Sequence, residues 1–136
     1  MSLITNIYSA IDCSNPVNLA RFYSGITGLR LDLSSDDDEQ KITWVELKDN
    51  SNNTKLAFQK IPNYRQPTWP EGNIPQQIHL DFFVNDIKDV EDQVLKLGAT
   101  KTDFQPGSPP EEEVSLEFRV YLDPEGHPFC LIFKPE

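Results

Sequence analysis

The sequence predicts an α+β fold of two βαβββ modules forming one eight-stranded curved sheet, a cup with both helices on its convex face. Three observations carry this expectation. Two helix-like segments stop at glycines 70 residues apart, half of the 136-residue chain. Each segment follows one strand-like run and precedes three more. The closing runs also repeat, since Leu47, Leu56 and Phe58 return 75 residues later as Leu122, Leu131 and Phe133. Self-similarity at a fixed spacing marks a duplicated unit.

In chain order, residues 7–13 form the first strand. Asn15 then caps a helix with Pro16 at its first position. Leu19, Phe22, Tyr23 and Ile26 fall on one face of that helix, and Gly28 stops it. A short strand at 30–33, an acidic loop and a hairpin through Leu47 and Leu56 complete a first module of about residues 5–61. Residues 62–75 hold four prolines and make a stiff connector. The second module, about 76–136, opens with a strand at 77–84. Asp86 caps a helix bearing Ile87, Val90, Val94 and Leu97, and Gly98 ends it. A short strand at 100–104 and a final hairpin follow.

Period-2 alternation assigns faces to these strands. Ile7, Ser9, Ile11, Ile78, Leu80 and Phe82 are expected to face the helices, with Val45, Leu47, Val120 and Leu122. Tyr8, Ala10, Asp12, His79, Asp81 and Phe83 are expected in the concavity, with Trp44, Glu46, Arg119 and Tyr121.

Composition narrows the function. Twelve Lys and Arg against 22 Asp and Glu give a net charge of −10, which disfavours nucleic acid and anionic membranes as partners. No apolar run approaches the roughly 18 residues of a spanning helix, and the N-terminus lacks the pattern of a secretory signal. Cys13 and Cys130 are too few for a disulfide scaffold and fit a reducing cytoplasm. Much of the acidity lies in two runs, 36–39 and 111–113, in corresponding loops of the two modules. Neither has the alternating ligand spacing of a calcium loop, so both read as solvated.

Three segments carry a family resemblance: NPVNLARFYSGITGL, QQIHLDFFVNDIKDVEDQVLKLGA and YLDPEGHPFCLIF. With their spacing they cover nearly the whole chain, which resembles the vicinal oxygen chelate superfamily, in particular its glyoxalase-like branch. That superfamily includes glyoxalase I, extradiol dioxygenases, fosfomycin-resistance transferases and bleomycin-resistance proteins. The resemblance implies a cup of paired modules, often in a homodimer, and does not fix the reaction. Catalytic members generally hold a divalent metal with ligands from four strands. The resemblance puts Tyr8 at the first ligand position, His79 at the third and Cys130 at the last. The second falls among Lys55, Ala57 and Gln59, of which Gln59 alone has a suitable donor. Tyr8, Gln59, His79 and Cys130 make a poor ligand set without a carboxylate, which favours a metal-free cup. Zinc, nickel, manganese or iron is the second reading, with Asp81 as partner of His79 or replacement ligand.

The remaining candidates are polar or aromatic. His127, in DPEGHPF, reads as part of a hairpin turn. Cys130 has no sequence neighbour that would activate it as a nucleophile. Trp44, Tyr8 and Tyr121, with Glu46, His79, Asp81 and Arg119, suit a small-molecule pocket. Trp69 of the connector is either a lid or an interface residue. Arg119 either pairs with Glu46 or binds a ligand carboxylate. Two functions follow. One is a metal-dependent lyase or isomerase of the glyoxalase type, in which Glu46 or Asp81 moves a proton. The other is a non-catalytic protein that sequesters a small molecule, like the bleomycin-resistance members.

Overall fold

A computed structural model describes residues 2–106 and 117–134. The acidic run 111–113 lies outside them. Each half follows the βαβββ order. The first contains β1 (Ser9–Cys13), α1 (Pro16–Thr27), β2 (Arg30–Leu31), β3 (Trp44–Lys48) and β4 (Thr54–Lys60). The second contains β5 (Leu80–Phe83), α2 (Ile87–Leu97), β6 (Thr100–Lys101), β7 (Glu117–Leu122) and β8 (Pro128–Phe133). Their ladders run β1-β4-β3-β2 and β5-β8-β7-β6, with β1–β4 and β5–β8 parallel. Among the described residues the hydrogen bonds therefore make two sheets of four, in place of one ladder of eight.

The helix signals operate as physical caps. The Asn15 side chain accepts the Asn18 amide at 3.0 Å, and Asp86 accepts the Asp89 amide at 3.1 Å. Gly28 takes a left-handed φ of 76°, which lets its N–H reach the Ser24 carbonyl at 2.9 Å. Leu19, Phe22 and Tyr23 of α1 are buried, and the Tyr23 ring stacks on Phe58 of β4. Ile87 and Val94 carry the buried stripe of α2. Ile7 and Ile78, expected against the helices, are exposed because β1 and β5 begin only at Ser9 and Leu80.

Compact units divide after Tyr64, so most of the proline-rich connector belongs with the second module. There Thr68 and Ile74 close a loop, the Thr68 amide donating to the Ile74 carbonyl at 2.6 Å and the Ile74 amide to Thr68 Oγ1 at 3.0 Å. Trp69 packs on Val120, Cys130 and Ile132.

The two closing hairpins share a turn but differ by one residue, and this reverses an expected face. Asp49 and Asn53 close the first turn as Asp123 and His127 close the second. Asn52 (φ 66°) and Gly126 (φ 87°) hold the same left-handed position 74 residues apart. A bulge between Leu47 and Lys48 then shifts the first ladder, so that Leu47 pairs with Leu56. The second ladder has no such shift; Leu122 pairs with Pro128, and Leu131 with Arg119. A one-residue slip moves every side chain to the other face. Arg119 and Tyr121 therefore face α2, and Val120 faces away from it, the opposite of the assignment made from the 75-residue spacing. Tyr121 is fully buried, stacks on Phe129, and donates its hydroxyl to Glu91 of α2 at 2.6 Å.

Gly126 also meets a neighbour closely. A Cβ there would lie 2.1 Å from Cδ of Gln66. Gly126→Ala is expected to destabilise the chain by about 1–2 kcal/mol, from the left-handed φ and the displaced glutamine. A urea midpoint measured against the parent protein checks this.

Candidate functional site

On the sheet faces turned away from the helices, the register groups the expected polar residues by module. In the first sheet, Ala10 pairs with Ala57, Asp12 with Gln59, Trp44 with Gln59 and Glu46 with Ala57. These side chains share one face because paired residues point to the same side. Trp44 Nε1 donates to Glu46 Oε2 at 3.0 Å, and Thr54 Oγ1 donates to Glu46 Oε1 at 2.5 Å. Those two donors, Thr54 first and Trp44 second, hold the Glu46 carboxyl below the usual glutamate range. Glu46 is thus an oriented anion beside a partly exposed indole. Tyr8 lies immediately ahead of β1 and is exposed.

A depressed carboxyl pKa means that the folded state holds this proton less tightly than the unfolded chain. The stability from Glu46 is present above the ordinary glutamate range and is lost as pH falls through its lowered value. Glu46→Gln is expected to remove that portion of the acid sensitivity. Urea midpoints between about pH 6 and pH 3 test this; parallel curves for variant and parent would contradict it.

In the second sheet, His79 lies immediately ahead of β5 and Asp81 lies within it. His79 Nε2 stands 3.1 Å from Asp81 Oδ1. Asp81 pairs with Cys130 of β8, and one ligand atom from each of His79, Asp81 and Cys130 lies within 4.8 Å of the others. Burial first, then the neighbouring Asp81 charge and hydrogen bond, push the Cys130 thiol up to about 12. A thiol so held is a poor nucleophile. Trp69 and Phe118 pack against Cys130, Val120 and Ile132, and the Trp69 ring meets Phe104 at 5.9 Å.

Two expected members lie elsewhere. Arg119 pairs with Glu117 at 3.2 Å and, like Tyr121, belongs to the helix side of its sheet. Glu46 takes Trp44 and Thr54 as its partners, so the first of the two readings offered for Arg119, an ion pair with Glu46, is not the one found. His127 is a turn residue as expected, with Nδ1 2.8 Å from the buried Asp123 carboxylate. Within the acidic run 36–39, Glu39 forms an ion pair with Arg21 of α1, and Asp38 caps the turn Glu39–Lys41. Sequence reasoning missed Thr54, Phe104 and Phe118. The repeat offered a signal for Phe118, which occupies the place of Trp44 once the 74-residue spacing of the turns is used.

The four-position ligand set does not fit this chain. Ala57 pairs with Ala10 as Cys130 pairs with Asp81, so the first module's counterpart of Cys130 is an alanine without a donor. Gln59 lies two residues further along, beside Asp12 and Trp44.

The family model for the glyoxalase-like domain matches residues 9–132. The chain belongs to the glyoxalase-like domain family. Solved structures share its vicinal oxygen chelate fold. A glyoxalase/bleomycin resistance protein/dioxygenase family enzyme from Burkholderia phytofirmans PsJN aligns with a TM-score of 0.62 at 15% identity, covering 94% of this chain and 97% of its own. The fosfomycin resistance protein FosX from Mesorhizobium loti gives 0.62 at 14%, covering 98% and 95%. The FosX from Listeria monocytogenes gives 0.64 at 10%, covering 98% and 96%. No curated protein matches the sequence. Identities this low carry the fold and leave the reaction open. No helix among the described residues is long and apolar enough to cross a membrane.

Proposed function

We propose that this glyoxalase-like protein binds a small molecule on the sheet faces turned away from its helices. The observation that carries the reading is Glu46, a carboxylate fixed by Trp44 and Thr54 on a face that also presents the indole. A flat apolar wall beside one oriented anion suits a ligand with a planar apolar part and a hydrogen-bond donor or positive charge. Similarity to proteins named for bleomycin and fosfomycin resistance agrees with binding of small molecules. A homodimer in the cytoplasm, as the family resemblance and the two cysteines suggest, goes with this reading, and the net charge of −10 disfavours nucleic acid or an anionic membrane as partner. Sedimentation at micromolar protein tests the dimer: a monomer alone contradicts it.

The pKa of Glu46 bears on whether the protein binds or reacts. A general base works best with a pKa near the operating pH, and Glu46 is moved the other way. Binding without turnover is therefore the first reading for the Trp44–Glu46 face. The lyase or isomerase reading rests on His79 and Asp81, whose imidazole–carboxylate contact is suited to holding and moving a proton.

Titration with planar cationic and neutral aromatic compounds, read by indole fluorescence, tests the binding proposal. A saturable change that Trp44→Phe abolishes and Glu46→Gln weakens about tenfold or more, the loss of a charge-assisted contact, is expected. Unchanged affinity in both variants would contradict it.

A further inference from the structure

We propose that Trp69 gates the sheet face of the second module: its indole occupies the surface that a planar aromatic ligand would take, and a ligand reaches that surface only when the ring swings away. The proposal rests on the small-molecule reading for what the gate admits, while the gate itself is read without a ligand.

Strand register sets the surface under the indole. Val120 pairs with Cys130, and Cys130 with Asp81, so these side chains share the side of the sheet turned away from α2. Phe118 and Ile132, paired two residues along, continue that side. Val120, Cys130 and Ile132 are buried, and Trp69 and Phe118 pack against them. Trp69 itself is only half-buried. An aliphatic and thiol floor with an aromatic wall accepts a flat apolar ring whether or not the chain supplies it. In the first module the places of Cys130 and Val120 are held by Ala57 and Glu46. A carboxylate there replaces the valine, so the apolar seat for the indole belongs to the second module.

The indole is carried beside the neck of a closed loop. The Thr68 amide donates to the Ile74 carbonyl at 2.6 Å, and the Thr68 hydroxyl donates to the same oxygen at 3.1 Å. The Ile74 amide returns a bond to Thr68 Oγ1 at 3.0 Å. Gly72 folds back onto this neck, where a Cβ would collide with Thr68 Oγ1. The neck fixes the backbone beside Trp69, so the ring leaves by rotation about its own side-chain bonds and no strand pairing breaks. A ligand competing with the ring binds with an apparent affinity reduced by the fraction of time the seat is open.

Labelling of the full-length protein by N-ethylmaleimide, followed at each cysteine by peptide mass mapping, tests the gate. Cys130 lies in the gated cluster, and Cys13, 0% exposed in the other module, reports unfolding. Below the urea transition Cys130 should react at least about tenfold faster than Cys13, at a rate nearly independent of urea, because local opening exposes little surface. Trp69→Ala should speed Cys130 at least about tenfold further, the effect of removing a closed state that holds nine-tenths of the molecules, and leave Cys13 unchanged. Free indole at millimolar concentration should slow the variant again by refilling the vacated seat. Thr68→Val keeps the indole and loosens the neck; its smaller acceleration keeps the test decisive if Trp69→Ala fails to fold. Cys130 labelling that rises with urea in step with Cys13, that neither variant accelerates, or that free indole leaves unslowed in Trp69→Ala would overturn the proposal. Failure of the Trp44-dependent fluorescence titration contradicts the small-molecule reading and leaves Cys130 labelling as it is, so the two failures are distinguishable.

Discussion

Truncating Phe129 to alanine is expected to cost about 3–5 kcal/mol, the range for deleting a large aromatic from a close-packed core. Phe129 is fully buried in β8, the strand that pairs with both β5 and β7. Its ring stacks on Tyr121 at 5.6 Å and meets Phe82 edge-on at 6.0 Å. Removal leaves a cavity between three elements that cannot all close inward, which adds to the lost transfer energy. Phe58→Ala should behave alike in the first module, because that ring is fully buried and stacks on Tyr23. Whole-domain stabilities run to about 5–15 kcal/mol, so either change approaches the unfolding limit. Phe104→Ala, at a residue 54% exposed, serves as the control and should cost far less. Urea midpoints at unchanged slope measure all three; a Phe129→Ala cost no larger than that of Phe104→Ala would contradict close packing around Phe129.

Tyr121→Phe is the second large effect, and it separates fold from function. The hydroxyl donates to Glu91 at 2.6 Å, while Lys101 reaches the same carboxylate at 3.3 Å. Losing a hydrogen bond to a charged group costs about 1.5–3 kcal/mol. The Tyr121 hydrogen bond is the main reason the Glu91 carboxyl lies below the usual range. Stability from the pair is therefore present above the ordinary glutamate pKa and is lost as pH falls through the lowered one. Burial, reinforced by Glu91, raises the phenol. That contribution is complete below the ordinary tyrosine pKa of about 10 and is lost as pH rises beyond it. The variant should flatten the stability profile at both ends while leaving small-molecule affinity unchanged, because Tyr121 faces α2. An affinity loss greater than the stability loss would return Tyr121 to the binding face.

Much of the architecture was legible in the sequence because local chemistry determined it. Asn15, Pro16 and Gly28 bound α1, and Asp86 and Gly98 bound α2, at the residues their capping chemistry implies. The duplication was legible from the spacing of those stops. Face assignment in β7 was not legible, because a bulge at Leu47 and Lys48 leaves no distinctive residue behind. The bulge lets Leu47 and Leu56, nine residues apart, pair on one face, whereas Leu122 and Leu131 at the same interval lie on opposite faces; Asn52 and Gly126 kept the true turn spacing of 74. Arg119 and Tyr121 changed faces for this reason alone.

The candidate site was legible in proportion to its locality. His79 and Asp81, two residues apart on one strand, come together as alternation requires, and so do Trp44 and Glu46. Partners distant in sequence were harder to assign. Thr54 reaches Glu46 across a hairpin whose register the bulge controls, a partner that spacing along the chain does not indicate. Trp69 packs beside Cys130 through the fold of a loop closed by Thr68 and Ile74, which proline content alone does not specify.

Ligands are expected to engage the sheet faces turned away from the helices. Backbone amide chemical shifts, recorded during titration with the aromatic ligand that most perturbs indole fluorescence, locate the contact. The expected result is a cluster of shifts at Ala10, Trp44, Glu46, Ala57 and Gln59, with Arg119, Tyr121 and the buried face of α2 unmoved. Shifts concentrated at Arg119, Glu91 and α2, with Trp44 and Glu46 silent, would contradict it.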